Sequence, residues 1–99
     1  MSEKVRARTE RVLEAAIELA LEAGFAGVTR NGTARRAGVA MGTVNNSFAT
    51  LPDLKAAVMA AAVERGIKAI IAGGLAEGHP VARAAPQALK DSALASLAA

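Results

Sequence analysis

The chain has no cysteine, no tryptophan and no tyrosine, and holds only two phenylalanines, three prolines and one histidine in 99 residues. Without cysteine there are no disulfides and no thiolate metal sites, which suits a reducing compartment. Long apolar runs are also missing. The most apolar stretch, "AAVMAAAVERGIKAIIAGG", is broken by Glu64, Arg65 and Lys68, so no membrane span is expected. The opening "SEKVRARTER" is charged throughout and lacks the apolar segment of a secretory signal, so a cytoplasmic protein is expected. The single histidine, His79, sits in "GHP" with no second ligand nearby. A metal site and a serine–histidine–aspartate site are therefore both unsupported. Gly73 and Gly74 lack the lysine and hydroxyl residue that complete a phosphate loop. No enzyme and no cofactor is expected.

Alanine is abundant, at 26 residues, within an apolar fraction of 53%. Alanine favours helix but buries little area. A chain of this length removes only roughly 60–65% of its surface from water on folding, so the core is thin and a dimer is a natural way to complete it. The net charge is +3. Seven basic residues stand against five acids in residues 1–38. That balance fits a mixed solvated surface and is compatible with a polyanion partner.

The apolar spacing predicts an all-α chain. Residues 5–23 read as a first helix with Leu13, Ile17, Ala20 and Leu21 on its apolar face. Gly24 reads as a left-handed stop closed by Phe25. Thr29 reads as the cap of a second helix, about 30–37, with Gly32 as a poor helix former inside it. Gly38 ends that helix, Val39 turns inward, and a third short helix covers roughly 40–47 above Val44 and Phe48. Thr50 caps a long fourth helix with Pro52 in its first turn. That helix is expected to reach about residue 72, with a kink allowed at Gly66 and a stop at Gly73 and Gly74. Residues 75–86 read as a loop or broken helix, and 87–97 as a last short helix. The division expected is residues 1–50 as a helix-turn-helix DNA-binding unit and 51–99 as a helical connector and dimerisation region.

Two short helices joined by a glycine turn and backed by a longer one form a helix-turn-helix, whose second short helix enters the major groove. There, small and polar side chains let the backbone approach base edges, and Ala40, Met41, Gly42, Thr43, Asn45 and Asn46 meet that need, while the hydroxyls of Thr43 and Ser47 are placed to reach phosphate or thymine. Asparagine pairs with adenine through two hydrogen bonds. Arg30, Arg35 and Arg36, with the arm residues Lys4, Arg6 and Arg8, are candidate phosphate anchors; the arginines at 35 and 36 equally suit a solvated helix face. On this reading, Arg36→Ala weakens binding to all sequences alike.

The strings "RVLEAAIELALEAGFAGVT" and "ARRAGVAMGTV", then Phe48 and "DL", resemble the DNA-binding domain of TetR/AcrR-type transcriptional repressors over roughly residues 8–60. The resemblance implies a transcriptional repressor with a large helical ligand-binding and dimerisation domain after the fourth helix. Here the fourth helix and residues 87–97 are the expected dimer seam of a homodimer on a short palindromic operator, and two-fold symmetry then places two recognition helices about 34 Å apart. The chain departs from the family pattern. Asn45 stands where a tyrosine is usual, and Ser47 near a usual histidine or tyrosine. Leu51 replaces a phosphate-contacting lysine, Ala40 replaces a capping serine, and Gly32-Thr33 replaces an apolar position. About thirty residues follow the fourth helix, too few to enclose a drug-sized cavity, so no small-molecule effector is expected. The alternative is an interaction protein that kept the scaffold, lost the operator and silences another regulator.

Overall fold

The computed structural model describes residues 2–98. Among them lie seven α-helices, one short 3-10 turn and no strand. Helix α1 covers Glu3–Ala23, two residues longer at its start than its apolar pattern suggests, because the Ser2 hydroxyl accepts the Val5 N–H at 3.2 Å. Its buried face is carried by Val12, Ala15, Ala16, Ile17 and Ala20. Leu13 is only half-buried and Leu21 is 55% exposed, so the expected stripe is rotated by about one residue. Gly24 has φ 85 and ψ 159. This is an extended glycine conformation, not the expected left-handed stop, and it sends the chain into the 3-10 turn Phe25–Gly27.

Helix α2 is Arg30–Ala37. The Thr29 hydroxyl accepts the Gly32 N–H at 3.0 Å, and the buried Thr33 hydroxyl donates to the Thr29 carbonyl at 2.7 Å. Gly32 has a packing reason: a Cβ there would come within 2.8 Å of the Leu19 Cδ2, so α2 crosses α1 at a residue with no side chain. At Gly38, in the left-handed region, the N–H groups of Gly38 and Val39 donate back to Arg35 and Ala34. Helix α3, Met41–Ser47, follows at once; Ala40 offers its first turn no side-chain cap.

Helix α4, Leu51–Arg65, is capped by Thr50, which accepts the Asp53 N–H at 3.1 Å. It does not run to residue 72. Gly66 ends it with the same paired bonds as Gly38, from Gly66 to Val63 and from Ile67 to Ala62. Helix α5 is Lys68–Ala76 and contains Gly73 and Gly74 in its interior instead of ending at them. The stretch read as a loop or broken helix is a broken helix: it carries α6, Pro80–Arg83, where His79 Nδ1 accepts the Val81 N–H at 3.2 Å. Helix α7 is Gln87–Leu97.

The described residues span 39 × 25 × 18 Å, and the shortest axis holds about two layers of helices. One apolar cluster joins α1 and α3, through Val12, Ile17 and Val44, to α4 and α5, through Leu54, Val58, Met59, Ile70 and Ile71. Phe25, 2% exposed, sits between the two groups. The His79 ring meets it edge-on at 5.5 Å, and Lys55 Nζ stands 4.4 Å from its centroid while bonding Glu77 at 3.0 Å. Arg65 of α4 reaches across to Glu14 of α1 with bonds of 2.5 and 3.1 Å. That hydrogen bond, with the positive charge behind it, holds the Glu14 carboxyl below its ordinary range. No helix among the described residues is long and apolar enough to cross a membrane.

Candidate nucleic-acid interface

Helix α3 is fixed from below by one side chain. Val44 is fully buried, while Gly42, Asn45 and Asn46 are exposed and Met41, Thr43 and Ser47 are half-buried. Helical geometry explains the pattern: at 3.6 residues per turn, Gly42 and Asn46 lie about 160° from Val44, with Asn45 on one flank. Phe48, half-buried at the end of the helix, packs against the core. The helix therefore turns an amide-bearing strip toward solvent, with nothing within 4 Å of a Cβ placed at Gly42.

The three α2 arginines are placed differently from one another. Arg30 opens α2 and is exposed. Arg35 lines an open groove of about 310 Å³ with Leu19, Glu22, Gly32 and Arg36, so a carboxylate shares that groove. Arg36 is engaged: its guanidinium pairs with Glu18 at 3.6 Å and with Glu22. Its charge ties the last turn of α2 to α1.

A second open groove, of about 500 Å³, runs between α1 and α3 and is lined by Lys4, Ala7, Arg8, Arg11, Val39 and Thr43. Lys4, Arg8 and Arg11 are exposed, and none is in an ion pair among the described residues. Arg6 lies on the other side of α1 and pairs with Glu3 at 3.8 Å. Sequence reasoning does not single out Arg11. The signal for it is spacing: Lys4, Arg8 and Arg11 stand at i, i+4 and i+7, one face of a helix that begins at Glu3.

Among the described residues no three histidine, aspartate or glutamate side chains gather where an ion would be held. His79 is used as a helix cap and as a neighbour of Phe25. No family model, no curated protein and no solved structure matches the chain.

Proposed function

We propose that the chain is a sequence-specific DNA-binding transcriptional regulator of repressor type. On this reading α2, the Gly38 turn and α3 are its helix-turn-helix, with α3 as the helix that enters the major groove. One observation carries the reading: Val44 anchors α3 from beneath while Gly42, Asn45 and Asn46 face outward, uncovered by any of the described residues. Small and amide side chains on that strip suit close approach to base edges. Arg30 and Arg35 serve as backbone contacts, and Met41, Thr43 and Ser47 border the strip. The active form is a homodimer on a short palindromic site. Leu94 and Leu97 of α7, 51% and 68% exposed, support a further apolar contact there.

The alternative, an interaction protein on the same scaffold, is favoured by one observation: the pairing of Arg36 with α1 carboxylates removes one anchor from the DNA face. Fluorescence anisotropy separates the two. A regulator binds duplex from its own upstream region more tightly than scrambled duplex, with affinity that falls as salt rises. Equal binding to both, or none, refutes the specific-regulator reading.

A further inference from the structure

We infer that the groove between α1 and α3 is a seat for the phosphodiester backbone of a DNA duplex, with Lys4, Arg8 and Arg11 as its cationic wall and the Thr43 hydroxyl as a donor opposite. This rests on the DNA-binding reading above and adds to it the element that positions the duplex.

Three features carry the assignment. The three cations share one face of α1 and line one groove with a residue of α3. Among the described residues no carboxylate lines that groove, in contrast to the one beside Arg35, where Glu22 intrudes. The seven-residue separation of Lys4 and Arg11 rises roughly 10 Å along the helix, equal to about three axial steps of one DNA strand at about 3.4 Å each, so the cations reach more than one phosphate. A strand lying there touches Thr43 at the border of the exposed α3 strip, so backbone contact and base approach come from adjoining surfaces. Lysine and arginine heads at this spacing fit a run of phosphates as point charges and forks. Such contacts set register and supply the salt-dependent share of affinity. They compensate for Arg36, whose charge is held by α1.

The test is a salt series of anisotropy titrations on a mixed-sequence duplex. It compares the wild type, the double variant Arg8→Gln/Arg11→Gln and the single variant Arg6→Gln. All three positions are exposed, and a thermal melt followed by circular dichroism checks that folding is kept. The double variant is expected to flatten the plot of log affinity against log salt by about 2, at about 0.9 for each phosphate no longer neutralised. Arg6→Gln is expected to leave the slope in place. A wild type that binds duplex while the double variant keeps the full slope overturns the groove and leaves the DNA reading standing. Equal flattening by Arg6→Gln also overturns it, because the cations then act as diffuse charge. A wild type that binds no duplex overturns the DNA reading and the groove with it.

Discussion

Gly74 of α5 lies against Met59 of α4 with no room for a side chain between them. A Cβ at residue 74 would fall on the Met59 methyl and come within 2.9 Å of the Ala82 Cβ, and both neighbours are fully buried. Gly74→Ala should therefore destabilise the fold by roughly 1–3 kcal/mol through overpacking, although alanine is the better helix former by about 1 kcal/mol. Urea unfolding followed at the helical ellipticity band measures it. A gain in stability would show that α4, α5 and α6 pack more loosely here.

Gly42→Ala should do the opposite. Nothing lies within 4 Å of the added carbon, so helix propensity alone should raise stability by up to about 1 kcal/mol. On the proposed DNA face the same methyl holds the backbone away from base edges, so duplex affinity should drop. A variant that is more stable and binds duplex as well as the wild type removes α3 from the interface.

Asn45→Ala and Arg36→Ala should separate reading from scaffolding. Asn45 is exposed, so its truncation should leave the melting temperature nearly unchanged and relax base preference at one position by about 1–3 kcal/mol. Selection from a randomised duplex pool reads that directly. Arg36→Ala, expected from the sequence to weaken all duplexes alike, should instead lower the melting temperature slightly and spare the salt slope, because its partners are Glu18 and Glu22.

The Glu14–Arg65 pair sets an acid-side dependence. The folded-state pKa of Glu14 lies below the ordinary carboxylate value. The pair's contribution is thus present above that ordinary value and lost as pH falls through the lowered one. Both side chains are about half-exposed, which keeps the effect small. Thermal melts of wild type and Glu14→Gln should differ at neutral pH and converge in acid. A constant difference across the range would show that Glu14 acts through packing alone.

Local chemistry is legible where one residue decides the outcome. The caps at Thr29 and Thr50, the stop at Gly38 and the helix at 87–97 all follow from side-chain oxygens, left-handed glycine and helical spacing, and the structure places them there. What the sequence does not yield depends on distant partners. Gly73 and Gly74 look like a stop, yet they lie where α5 meets Phe25, Met59 and Ala82. Gly66, which looks like a kink, is the true end of α4 because the chain there can form both backward hydrogen bonds. The stripe on α1 is misplaced in the apolar pattern because its alanines, not Leu21, face the core, and alanine hardly registers in such a pattern. In the candidate site, exposure along α3 follows from Val44 alone. The engagement of Arg36 and the groove beside Arg11 require knowing which helices adjoin.

Phe25 belongs by sequence to the first fifty residues, yet its ring is walled by Lys55 and His79 and its Cβ stands 3.0 Å from where a Cβ at Gly73 would be. The two halves are consequently interlocked parts with a shared bolt. Cutting the first half away would strip that aromatic of its housing, so any excised unit has to carry α4, α5 and His79 along with it.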